Sequence, residues 1–342
     1  MNGQFQDDRF APQGGDENGF YHPAEYFFRA KRNEKKEIRY QSLLAGFAIL
    51  CLILVQNITV AFMGLFGLYD LYLSNPLFQS GVDIIIILLS ILLPFSIFGR
   101  MIQNRSGVAE PLPFEKPREG KLLPLAVVGG LGMCMLANIV TGYLTSILTS
   151  AGLELSSPDL AMPEGGLGIL VSFCRVVLVA AFVEEMALRG YVLQNLRKFG
   201  DGFAIAMSAL VFGLMHCNLI QTPFALIVGA VLGYLCIKTG SLWTAVLVHA
   251  LNNSISLVFS YLGDVVEKSV LTSLESLVIY ALILAGIPCF VIFVKKVNEY
   301  PREKRKTALS NAEKTVAYLT TPTMIIAIIL MLYFTSQYVK LG

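Results

Sequence analysis

About nine stretches of this 342-residue chain are each long and apolar enough to be read as membrane-crossing helices, given that roughly 20 residues rising 1.5 Å apiece cover the hydrocarbon core. They fall at about 42–68, 77–98, 122–149, 167–190, 203–220, 223–238, 241–261, 276–294 and 315–337. In lipid the backbone must satisfy its own hydrogen bonds, so the pattern predicts an all-α, polytopic transmembrane helix bundle. A mean hydropathy of +0.64 with only 15% charged residues argues against a string of soluble domains. The near balance of 26 basic and 24 acidic residues gives no case for nucleic acid as a partner. Membrane lipids are the partners this composition implies.

The distribution of Lys and Arg carries the orientation. With a cytoplasmic N-terminus, the tail, residues 99–121, 189–202 and 295–314 and Lys238 collect nearly all of the 26 on the inner side. Lys268 and Lys340 fall outside, and Arg175 lies within a span. The expected organisation is a cytoplasmic polar and basic tail at 1–41, transmembrane spans at 42–150, a core at 165–262 and further spans at 276–337, with the C-terminus outside. The first twenty residues are polar and Gly-rich, so disorder is expected there. Six cysteines sit in or beside apolar runs without a CxxC pair and read as packing thiols. The short loops suggest a bacterial cell membrane. Gly229 and Gly233 form one GxxxG, which reads as close helix packing.

Against this background the segment FVEEMALRGYV, residues 181–191, stands out. A charged group in hydrocarbon costs a few kcal/mol or more, so such residues persist where they are paired or used. The ionisable residues at membrane depth are few: Arg175, Glu184, Glu185, Arg189, His216 and His249, with Asp83 near a span end. Counted at 1.5 Å per residue, Glu184, His216, His249 and Asn253 fall within a slab about 10 Å thick, on three helices. Neighbours on a helix point about 100° apart, so Glu184 and Glu185 cannot both face one cavity. Glu185 precedes Arg189 by four, the favourable order for an ion pair, which leaves Glu184 for the reactive space. A buried carboxylate with no permanent partner holds a proton readily and suits a general base. The alternative on spacing has both glutamates serving Arg189 and Arg175. Phe212 lies four before His216 and can fix its rotamer, while His249 and Asn253 repeat that interval and can present two donors to an oxyanion. Asn252 points off that face and is expected to bond a neighbouring helix.

Together EExxxR at Glu184–Arg189, FxxxH at Phe212–His216 and HxxxN at His249–Asn253 resemble the three motifs of the CPBP or Abi family, the type II CAAX prenyl endopeptidases and bacteriocin-processing or self-immunity proteins. The resemblance covers about residues 165–262. It implies an intramembrane endopeptidase in which Glu184 and His216 activate a water, His249 and Asn253 hold the oxyanion, and Arg189 is structural. The implied substrate is a peptide or lipid-modified protein, through CAAX-type C-terminal processing or bacteriocin and membrane-peptide processing. Family members are often labelled metalloproteases, and Glu184, His216 and His249 would formally make a zinc set. No HExxH occurs, and that set leaves no base except Glu185, so a metal-free reaction is favoured. A proton-coupled transporter and a non-catalytic immunity or scaffold protein are the rival classes; no inverted repeat supports the former.

Overall fold

The computed structural model describes residues 23–106, 112–158, 162–299 and 305–341; the disorder expected of the first twenty residues lies outside this set. Among the described residues seven helices are long and apolar enough to cross a membrane: α1 (Glu25–Leu65), α2 (Pro76–Arg105), α3 (Gly120–Ser150), α4 (Gly165–Phe199), α6 (Gln221–Thr239), α7 (Leu242–Leu262) and α8 (Lys268–Asn298). A bent pair, α9 (Asn311–Leu319) and α10 (Pro322–Ser336), makes up to eight if it is one broken span. The chain is therefore an all-helical, multi-spanning bundle, with fewer full-length helices than the nine apolar runs suggested.

The missing span is the run at 203–220. It forms α5 (Asp201–Met215), only 15 residues and so about 22 Å long. The chain then reverses and returns along α5 as α6. A Cβ on Gly213 would meet the Thr222 carbonyl and Leu226, one on Gly229 would meet Ala209, and one on Gly233 would approach Ile205. That order of contacts is an antiparallel hairpin.

The basic segments do gather at one end. Lys198 pairs with Glu37 at 2.9 Å, Lys314 donates to the Phe199 carbonyl at 2.7 Å, and Ser241 donates to the Glu115 carbonyl at 2.7 Å. At another place a two-stranded antiparallel ribbon, β1 (Leu153–Leu155) with β2 (Val339–Leu341), ties the segment after α3 to the C-terminal residues. This ribbon is the one departure from all-helical structure among the described residues. All six cysteines are free, and Cys134 and Cys236 are buried in the core.

Without a solvent-driven hydrophobic effect between helices in lipid, close approach of backbones matters more. Gly132 of α3 illustrates this: a Cβ there would lie 2.6 Å from the Gly286 Cα of α8. Large apolar side chains such as Leu54, Ile58, Leu277, Leu284 and Ile329 project outward, as a lipid-facing surface requires.

Candidate active site

Helix α4 carries the two glutamates between two widened, π-helical turns at Phe173–Val179 and Met186–Val192. Such turns disturb the regular i to i−4 ladder and leave carbonyls open to other donors. Three side chains take up carbonyls there: Asn253 donates to the Val176 oxygen at 2.9 Å, Ser208 to Leu188 at 3.1 Å and Gln194 to Arg189 at 3.0 Å. The distorted turns thus fasten α4 to α7 and α5 on either side of the carboxylates.

Glu185 is fully buried and its Oε1 accepts from Arg189 Nη1 at 2.8 Å, the pairing that the four-residue spacing predicts. The same oxygen accepts from His249 Nδ1 at 2.9 Å, across 64 residues of sequence. Sequence spacing gave no sign of this second bond. A carboxylate already engaged by a guanidinium is an acceptor, which puts the ring proton on Nδ1 and turns Nε2 toward open space. Glu184 lies on that side, with Oε2 at 3.8 Å from His249 Nε2 and its side chain 20% exposed. That separation is too long for a direct hydrogen bond and suits a shared water. Glu184 pairs with neither arginine, so the reading in which both glutamates serve as counter-ions is overturned: Arg175 pairs instead with Asp83 at 2.6 Å.

Phe212 sits at the centre of the cluster. Its ring stands edge to face with His216 at 5.0 Å and with His249 at 5.9 Å between centroids, while the Arg189 guanidinium lies 4.5 Å from its centroid. Both imidazoles and Arg189 therefore share one aromatic neighbour, and the cation over its face adds an attraction of its own. Arg189 is completed by the Gly229 carbonyl of α6 at 3.1 Å. A Cβ at Gly229 would come within 3.1 Å of both the Ala209 Cα and the Phe212 ring, so this glycine of the GxxxG serves close packing.

His216 was expected inside a helix and instead caps the C-terminus of α5. Its Nδ1 donates to the Phe212 carbonyl at 2.9 Å. Since a carbonyl only accepts, the bond leaves Nε2 as the lone-pair nitrogen. The next residue, Cys217, has φ of 52°, the left-handed region. Asn218 locks the reversal by donating to the His216 carbonyl at 2.9 Å and accepting from the Gln221 N–H at 2.8 Å. The apolar run hid this break; Asn218, a turn former, was the signal for it.

Asn253 is half-buried one turn beyond His249 on α7, with one amide N–H committed to Val176 and a second remaining. Asn252 does not bond a neighbouring helix: it is buried and its Nδ2 lies 3.5 Å from Asn253 Oδ1. Away from this cluster, Tyr72 in the short helix Tyr69–Ser74 donates to Asp83 at 2.8 Å. Burial first, and the Asp83 bond second, push its hydroxyl up to about 12.

Among the described residues no three His, Cys, Asp or Glu side chains gather into a group fit to hold a metal ion. The donors raised for zinc, Glu184, His216 and His249, are not among any such group. Next to the carboxylates lies an apolar recess of about 390 Å³, lined by Leu88, Leu92, Phe182, Val183, Trp243 and Val246. Leu88 and Trp243 are exposed, so it reaches the lipid-facing surface.

In comparisons with known proteins, residues 166–255 match the family described as "Type II CAAX prenyl endopeptidase Rce1-like". The match takes in all three motifs and every side chain of the Glu184, Glu185, Arg189, Phe212, His216, His249 and Asn253 cluster. Neither the curated proteins nor the solved structures compared with the chain gave a match.

Proposed function

From the match of residues 166–255 to the Rce1-like, type II CAAX prenyl endopeptidase family, we propose that the chain is an intramembrane endopeptidase in which Glu184 and His216 activate water and His249 and Asn253 stabilise the oxyanion. The observation that carries this reading is the buried Glu185–His249 pair, with the free edge of the imidazole turned to Glu184.

Glu184 has no permanent partner and holds the water. His216, with its proton committed to the Phe212 carbonyl, offers the Nε2 lone pair as a second acceptor. The water oxygen attacks the scissile carbonyl while Glu184 takes its proton. Negative charge then grows on the former carbonyl oxygen. His249, its ring held by Glu185, turns its Nε2 edge to that oxygen, and the free Asn253 amide N–H donates to it. When the tetrahedral species collapses, the C–N bond breaks and the amine leaves with the proton held by Glu184. The products are a carboxylic acid and an amine, the acid then passing its proton to the amine or to water, and the site returns to its starting charge.

The recess supports a substrate with an apolar appendage: it lies against Val183 and Val246, the neighbours of Glu184 and, one turn away, of His249. A lipid-modified C-terminal peptide of CAAX type meets that description, and an apolar membrane peptide is the other member of the class. The test is cleavage of a prenylated CAAX peptide and an unmodified membrane peptide by purified protein, with and without a chelator. Wild type cleaves, Glu184→Gln does not, and chelator leaves the rate unchanged. Cleavage by Glu184→Gln at the wild-type rate removes Glu184 from the mechanism.

A further inference from the structure

The strongest unassigned cluster lies away from the carboxylates, at the basic end of the bundle. A cavity of about 260 Å³ is lined by Lys36, Arg39 and Tyr40 of α1, Arg105 at the end of α2, and Thr321 just before α10. Arg105 is held flat over the Tyr40 ring at 4.0 Å, and Arg39 donates to Thr320 at 3.4 Å. Three cationic side chains thus line one concavity at the surface.

None of the three makes an ion pair among the described residues, whereas the acidic residues nearby are committed elsewhere. Glu37 holds Lys198 at 2.9 Å, Glu34 accepts from the backbone N–H groups of Ala308 and Leu309, and Glu313 holds Lys31 at 3.0 Å. The cavity therefore has three positive charges and, among the described residues, no internal counter-ion. Like charges brought this close repel, and an anion placed between them converts that repulsion into attraction.

The position of the cavity narrows the identity of the anion. On α1 the sequence passes within two turns from RAKRNEKKEIRY to LLAGFAIL, which is the level of the lipid headgroups. Lys36, Tyr40, Leu43 and Phe47 recur at three and four residues, so one face of α1 runs from charge to hydrocarbon. Below the cations, Phe47 packs on Phe98 with ring centroids 6.2 Å apart, and Phe47, Ile97 and Met101 are exposed. A free phosphate would use only the charged rim. A phospholipid would use the rim and the apolar strip beneath it.

We propose that this recess is a binding site for the phosphate headgroup of an anionic membrane phospholipid, whose acyl chains lie along Leu43, Phe47, Phe98 and Met101. Lys36, Arg39 and Arg105 contact the phosphate oxygens, and the bound lipid bridges α1, α2 and the segment leading into α10. Basic pockets between transmembrane helices recognise anionic headgroups through such a charge count.

The full-length protein is tested in nanodiscs of phosphatidylcholine alone and with added phosphatidylglycerol, reading retained lipid by native mass spectrometry and melting temperature in parallel. Wild type retains phosphatidylglycerol in preference to phosphatidylcholine and melts higher in its presence. The triple variant Lys36→Gln, Arg39→Gln, Arg105→Gln binds it about 100-fold more weakly. The exposed single variant Lys36→Gln, which breaks no internal contact, loses about fivefold and serves if the triple variant fails to fold. Equal retention of the two lipids by wild type, or undiminished phosphatidylglycerol binding by whichever variant folds, overturns the site. Stabilisation by inorganic phosphate alone, equal to that by phosphatidylglycerol, overturns the lipid as its occupant.

Discussion

Two adjacent glutamates with opposite partners invite a paired substitution. Glu185→Gln keeps the shape of the side chain but strips the counter-charge from Arg189, which is fully buried and whose guanidinium meets Glu185 at 2.8 Å. Breaking a buried pair by removing one member costs about 3–5 kcal/mol, because the remaining charge is left uncompensated. The Gly229 carbonyl and the Phe212 face still hold the guanidinium, so the lower end of that range, about 3 kcal/mol, is expected. At about 2.1 cal/mol/K of unfolding entropy per residue, a 342-residue chain loses about 1.4 °C per kcal/mol, so the melting temperature falls by roughly 4 °C. Glu184→Gln removes a carboxylate with no bonded partner and a side chain 20% exposed, so its stability stays within about 0.5 kcal/mol of wild type. Both variants lose peptidase activity, Glu184→Gln through the base and Glu185→Gln through the misplaced His249 ring. Differential scanning fluorimetry in one detergent, alongside peptide cleavage, reads both effects. Equal melting temperatures for the two variants would falsify the division of labour argued here.

Other substitutions probe separate joints of the structure. Asn218→Ala removes both bonds that lock the turn after His216; a loss of about 1–2 kcal/mol in melting is expected, with kcat falling more than KM rises as His216 loses its position. Gly229→Val puts a branched side chain 3.1 Å from the Ala209 Cα and should abolish a folded monodisperse protein on size-exclusion chromatography, whereas Gly233→Ala, with its nearest neighbour at 3.6 Å, should be tolerated. Asp83→Asn should destabilise by about 3 kcal/mol because Arg175 is then left buried without a counter-ion; the double variant Asp83→Leu, Arg175→Met should recover most of that loss in a thermal melt.

What could be read from the sequence followed the range of the interactions. The Glu185–Arg189 pair and the separation of Glu184 from Glu185 depend only on helix geometry over four residues, and the structure reproduces both. The bond from His249 to Glu185 joins residues 64 apart, and Arg175 to Asp83 spans 92. Neither follows from periodicity, and helix spacing offered Arg175 only a glutamate as partner and Asp83 none. The helix count erred at 203–220 because hydropathy reads the apolar residues past Met215 as more helix, while the reversal depends on Asn218 and on a left-handed Cys217. The widened turns of α4 left no mark in the pattern at all; they become visible through the side chains of Asn253, Ser208 and Gln194 that claim their carbonyls.

Those widened turns bear on how the carboxylates come to differ. In an unbroken helix held only by packing, a pair of neighbouring glutamates would be free to exchange roles by a rotation of about 100°. Here α4 is pinned on one side by Asn253 to Val176 and on the other by Ser208 to Leu188, with Arg189 reaching the Gly229 carbonyl. Rotating α4 to bring Glu185 into the open space would break all three bonds as well as the pair with His249. The charge that stabilises the bundle is thereby confined to one residue. Its neighbour is left without a partner beside an imidazole whose other nitrogen is fixed. A site that must hold a carboxylate ready inside a membrane gains this readiness from the fastening of α4, and loosening either fastening should cost activity before it costs the fold.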